Sequence, residues 1–176
     1  MRANEVLTVL EVLTDADVPA WVVGGWGIEA LAGRVTRDHR DLDLAIRDAD
    51  LQRAMDALAG LGFTVETDWL PTRVELGGGP GGWVDLHPLA FDAEGTGVLT
   101  GLDGVRFVYP SDQFAQGAIG GRVVQCISAA LQRTFHEGYP ARPEDLHDLA
   151  VLDALDQRPG RIHRPAPGNR SSGDRR

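Results

Sequence analysis

No lysine occurs in this 176-residue chain: all 17 of its basic residues are arginine. They are outnumbered by 26 acidic residues, and the net charge of -9 gives the surface no general attraction for nucleic acid phosphates, so no nucleic acid partner is expected. One cysteine, Cys126, cannot close an internal disulfide, which points to a reducing cytoplasm rather than a stapled secreted fold. No apolar run approaches the ~20 residues of a membrane span, and the opening "MRANEVLTVLEVLTDADV" is interrupted by acids rather than built as a basic stretch followed by an apolar one. Neither membrane insertion nor export by that route is expected.

What is present suits one globular unit. An apolar fraction of 43% and a charged fraction of 24% are those of ordinary soluble domains, and the length allows one domain with a full core. The end of the chain departs from this. "RPGRIHRPAPGNRSSGDRR" is rich in Arg, Pro, Gly and Ser and holds too little apolar surface to offset its chain entropy. The reading is therefore a folded domain over 1–157 and a disordered tail over 158–176.

Along the domain, Val6, Leu7, Leu10, Val12 and Leu13 recur at helical spacing until "TDAD" and Pro19. "AWVVGG" reads as a strand closing on two glycines, and "WGIEALAGR" as a helix stopping near Gly33. "DLDLAI" is a second strand and "DADLQRAMDALAGLG" a second amphipathic helix. Then "FTVETDW", "TRVELG" and "GWVDLHPL" form a β-rich block, with Gly77 to Gly82 as a hairpin loop; "GVRFVY" and "RVVQCIS" add two strands, with a helical turn at "PSDQF". Ser128 is placed to cap "AALQRTFH", and Pro143 opens the last helix. The order predicts an α+β domain: a mixed twisted β-sheet flanked by helices.

The chemistry lies in "TRDHRDLDLAIRD", where Asp41 and Asp43 alternate along a strand and so share one face. A third acid, Asp85 in "WVDLHPL", stands on a strand able to lie beside the first. Clustered carboxylates repel and raise one another's pKa unless cations sit between them. Magnesium answers this, taking one or two carboxylates and leaving its other positions to water and substrate phosphates; a pair of such ions serves phosphoryl or nucleotidyl transfer. Gly24 and Gly25 fall where strand becomes helix, so that backbone N–H groups can face a phosphate. Taken alone, alternating Asp is often just the solvent face of an edge strand, and Gly-Gly is a feature of any tight turn; their order along the chain is the more specific signal.

"GGWGIEALAGRVTRDHRDLDLAI" resembles the nucleotide-binding signature of the small antibiotic nucleotidyltransferases, the lincosamide nucleotidyltransferases and the aminoglycoside 2''-adenylyltransferase group, within the DNA polymerase beta-like superfamily. The likeness includes the Trp after the glycines, the "G-R-x-T-R-x-H" run and the alternating-Asp strand; "RVVQCIS" and "FHEGYPARPEDLHDLAVL" extend it to about Asp153. It implies the nucleotidyltransferase fold, with Asp41 and Asp43 as metal-binding carboxylates and Asp85 as a third metal ligand or as the base that takes a proton from the acceptor. Gly24 and Gly25 would form the phosphate-facing turn, and Arg37 and His39 would contact the nucleotide; Arg40 flanks the same strand. His136, Glu137, Tyr139, His147 and Asp148 also match family positions, with helix packing as the simpler role.

The expected activity is transfer of a nucleoside monophosphate, AMP from ATP, to a hydroxyl of a small molecule such as a lincosamide or an aminoglycoside, with two Mg²⁺ ions as cofactor and pyrophosphate released. The alternative is a nucleotidyltransferase-like module that binds nucleotide or a partner protein without turnover, as an antitoxin-type or regulatory component. Acceptor, donor base and the option of a homodimer stay open at this level.

Overall fold

A computed structural model of the chain describes residues 1–137 and 140–157; Tyr139 and the expected tail over 158–176 lie outside the described residues. The elements are α1 (Ala3–Asp15), β1 (Ala20–Val23), α2 (Gly24–Ala32), β2 (Asp41–Arg47), α3 (Leu51–Ala59), β3 (Thr64–Trp69), β4 (Arg73–Gly77), β5 (Trp83–Phe91), β6 (Gly97–Thr100), β7 (Arg106–Tyr109), β8 (Phe114–Ile119), β9 (Arg122–Ile127), α4 (Ala129–Thr134) and α5 (Pro143–Asp156). The strands join in one mixed sheet in the order β3-β4-β5-β2-β1-β9-β8, and β6 continues from β5 to β7. The β-rich block read from the sequence is thus the extension of the sheet that carries β2.

The centre of the sheet sets the site. β1 runs antiparallel to β2, with Val23 opposite Asp43, and β2 runs parallel to β5, with Asp43 opposite Asp85. Alternation along β2 sends Leu42, Leu44 and Ile46 into one face, where they meet Val6, Val9 and Leu13 of α1 and Ala54 and Leu58 of α3. The other face carries the acids and, farther along, Ala45. There Val23, Leu89, Leu99, Tyr109, Ile127 and Leu131 form a smaller cluster. Sealing the α1/α3 face leaves the acid-bearing face free to border a cavity.

The helix punctuation follows the sequence. Gly33 closes α2 in the left-handed conformation, Ser128 caps α4 by accepting from the Leu131 N–H, Pro143 opens α5, and "PSDQF" begins with a 3₁₀ turn over Ser111–Gln113. Two strands were not foreseen. β6, "GVLT", is four residues between turns, and β8, "FAQGAI", has a glycine and a glutamine where a strand ordinarily shows apolar alternation; β8 is held by its antiparallel ladder to β9.

Candidate active site

The acid-bearing face opens into a cavity of about 1020 Å³, a size suited to small-molecule and cofactor sites. Asp43 and Asp85 stand side by side on its floor, with His87 two residues beyond Asp85. One ligating atom from each of Asp43, Asp85 and His87 can be chosen so that all three lie within 4.8 Å of one another. The Nε2 of His87 is 3.1 Å from Oδ1 of Asp43. Asp85 is only 2% exposed; Nη1 of Arg73 donates to its Oδ2 at 2.6 Å, while its Oδ1 is buried without a hydrogen-bond partner among the described residues. Burial, and then the charge of Asp43, push the Asp85 carboxyl up to about 6, although Arg73 and His87 pull it down. Oxygen donors and one orphaned carboxylate oxygen are what a hard divalent cation uses, so these residues fit such an ion.

Asp41 shares the face but not this tight group. Its Oδ2 accepts from Nε and Nη2 of Arg40 at 3.1 and 2.9 Å, and Arg40 lies over the Trp83 ring, 5.2 Å from its centroid. Asp41 borders the same cavity.

Gly24 and Gly25 are the first two residues of α2, whose N-terminus has no side-chain cap. Both are required by contact. Gly24 has a φ of +59°, and a Cβ there would stand 2.6 Å from Oδ2 of Asp43. A Cβ on Gly25 would stand 2.5 Å from Nδ1 of His39 and 2.7 Å from Nη2 of Arg37. The glycines therefore let the helix end, the Asp43 carboxylate and the loop before β2 converge. From the other side Gln132 of α4, 1% exposed, donates from Nε2 to the Gly24 carbonyl at 3.3 Å.

That loop is organised by Glu29, a buried acid on α2. Its carboxylate accepts from the Thr36 N–H at 2.7 Å, the Thr36 hydroxyl at 2.8 Å and the Arg37 N–H at 3.3 Å, and meets Nε2 of His39 at 2.9 Å. Burial pushes its pKa up, but these hydrogen bonds together outweigh it and hold the group below the ordinary carboxylate range. His39 is buried against Trp26, ring centroids 4.9 Å apart, with Nδ1 turned towards Gly25. Nε and Nη2 of Arg37 donate to both oxygens of Asp148 on α5 at 2.8 and 2.7 Å, and His147 meets the Thr36 hydroxyl at 2.9 Å. His147 and Asp148 of α5 thus dock the loop that borders the cavity.

Of the residues singled out in the sequence, Gly24, Gly25, Arg37, His39, Asp41, Asp43 and Asp85 all line one cavity. Glu29, Arg73, His87 and Gln132 went unnoticed. Their signals were slight: an acid inside the apolar run "IEALA", an arginine and a histidine spaced like any strand residues, and a glutamine on a short helix. Opposite the charged groups the wall is apolar and aromatic. Leu99, Phe107, Tyr109 and Phe135 line it, with the Tyr109 and Phe135 rings 4.9 Å apart; burial, and then the charge of Asp43, raise the Tyr109 phenol, which stays a hydroxyl donor.

A sequence profile of the aminoglycoside-2''-adenylyltransferase family matches residues 5–152. A lincosamide resistance protein of Staphylococcus haemolyticus is 30% identical over 152 residues, covering 86% of this chain and 94% of that protein. A 2''-aminoglycoside nucleotidyltransferase of Klebsiella pneumoniae is 31% identical over 134 residues, 73% of this chain and 70% of that one. The crystal structure of the lincosamide antibiotic adenylyltransferase LnuA with lincomycin bound superimposes with a TM-score of 0.78 at 30% identity, over 86% of this chain and 96% of that chain.

Proposed function

The chain belongs to the aminoglycoside-2''-adenylyltransferase family and is a nucleotidyltransferase; from that membership we propose that it moves AMP from ATP, with a divalent metal, onto a hydroxyl of a lincosamide or an aminoglycoside. Asp43 opposite Asp85 at the open end of α2 is the observation that carries this reading. The antitoxin-type or purely binding alternative is not favoured, because a buried carboxylate beside another is costly and gives a passive binder nothing.

In this reading Asp41, Asp43 and Asp85 would hold Mg²⁺, and the ion would supply the positive charge that a triphosphate and its pyrophosphate product call for. Gly24 and Gly25 would turn N–H groups of the α2 terminus to the phosphates, and Arg37, held by Asp148, would contact the nucleotide from the same cavity wall. His39 keeps the loop shaped through Glu29. Asp85 takes the acceptor proton as the acceptor oxygen bonds to the α-phosphorus and the bond from that phosphorus to the pyrophosphate oxygen breaks, the electron pair leaving with pyrophosphate. Positioning and charge neutralisation supply the rate.

Pyrophosphate release, screened with the four nucleoside triphosphates against lincosamides, aminoglycosides and simple sugars, tests the assignment. The expected result is Mg²⁺-dependent release with ATP and one antibiotic class, reduced to a small residual rate in Asp41→Asn, Asp43→Asn and Asp85→Asn. Undiminished turnover in these variants would refute the roles given to the acids.

A further inference from the structure

The two oxygens of Asp85 are not equivalent. Oδ2 receives Nη1 of Arg73 at 2.6 Å, and Oδ1 has no hydrogen-bond partner among the described residues, although the side chain is 2% exposed. Arg73 is not the direct cross-strand neighbour of Asp85: that place belongs to Glu75. Arg73 stands two residues earlier on the same face of β4 and reaches Asp85 on the diagonal. The approach is fixed on both sides. The guanidinium carbon lies 4.5 Å from the centroid of the Trp69 ring, and the adjacent Thr72 hydroxyl donates to the Thr100 carbonyl at 3.1 Å, tying the start of β4 to β6. A planar guanidinium clamped by a ring and an ion pair has few rotamers left, so the carboxylate it holds has one orientation.

We propose that Arg73 is a positioning residue for the transfer step, pinning Oδ2 of Asp85 so that Oδ1 alone is presented to the reacting groups. This rests on the nucleotidyltransferase reading for the role of Asp85 and adds which oxygen acts and what fixes it. Arg73 touches neither the phosphates nor the acceptor in this role. It also holds a cation against Asp85 that an incoming metal ion must share, so its removal has opposite effects on turnover and on metal affinity. Damage to the fold lowers both.

The test compares wild type with Arg73→Met and Arg73→Lys. Expected for Arg73→Met is a kcat lower by about 10–100-fold, the range for groups that orient a metal-site ligand, with the KM for ATP within about threefold and Mn²⁺ binding by calorimetry tighter than in wild type. Arg73→Lys keeps the charge and recovers part of kcat. In an Asp85→Asn background, Arg73→Met has no further effect on the residual rate, because no carboxylate is left to orient. An unchanged kcat, a loss confined to the KM for ATP, Mn²⁺ binding that is unaltered or weaker, or an undiminished Arg73→Met penalty in Asp85→Asn would each overturn the proposal. Should wild type transfer nothing to any acceptor, the nucleotidyl-transfer reading fails separately. The Mn²⁺ comparison then decides on its own whether Arg73 holds Asp85.

Discussion

Glu29 and His39 meet inside the protein, Oε1 to Nε2 at 2.9 Å, with both side chains almost wholly buried. The same carboxylate gathers the Thr36 hydroxyl and two backbone N–H groups, so a single acid of α2 shapes the segment that carries Arg37 and His39 to the cavity.

Replacing that acid is expected to loosen the segment first. Glu29→Gln leaves buried donors without a charged acceptor, a cost of about 1–3 kcal/mol, readable as a lowered urea midpoint at pH 7. The sign with pH follows from the depressed pKa: the contribution is present above the unfolded carboxyl value, about 4.3, and is lost as pH falls through the lower folded value. Wild type should therefore lose stability on acidification more steeply than Glu29→Gln, and parallel curves would contradict the account.

Asp85 has the opposite sign. Its folded pKa of about 6 lies above the unfolded value of about 3.9, so its contribution to stability is full below the latter and fades as pH rises through the former. Metal-free wild type is expected to lose thermal stability across that window more than Asp85→Asn, and Mg²⁺ to restore it in wild type alone. Melting temperatures at stepped pH, with and without the ion, measure both effects.

Gly24→Ala introduces a side chain at a left-handed backbone position, at about 1–2 kcal/mol, and directs it into Asp43. Pyrophosphate release should fall by about 10²-fold, the scale of a 1 Å misplacement of reacting groups, while circular dichroism stays that of the native fold. Full activity in this variant would show that the helix end and the acid need not touch.

The Arg37 and Asp148 pair gives a test of docking. Arg37→Met strands a carboxylate that is 4% exposed, so it should destabilise by about 1–3 kcal/mol and raise the KM for ATP. Asp148→Asn should destabilise less, and a double-mutant cycle should return a coupling of about 0.5–3 kcal/mol. Independent, additive effects would mean that α5 does not hold the loop.

How far the sequence could be read depended on the range of the interactions involved. β2 and its two acids are a local alternation, and α3 is a local period, so both were legible from spacing alone. Asp85 could be nominated because it too sits between apolar strand residues, but its register opposite Asp43 is set by the order in which distant strands pair. Glu29 reads locally as one polar residue on an apolar helix; only the return of the chain seven to ten residues later gives it Thr36, Arg37 and His39 as partners. Arg73 and Gln132 were invisible for the same reason, since each meets its partner across the fold, 12 and 108 residues away. β8 lacked any pattern of its own and exists because β9 offers it a ladder.

The lone Cys126, on the strand beside β1 and with no accessible surface, makes the protein its own reporter of breathing. A thiol reagent reaches that sulfur only when the centre of the sheet parts, so the labelling rate follows transient opening. Slower labelling once ATP and magnesium are added would time how firmly bound substrate locks the molecule shut.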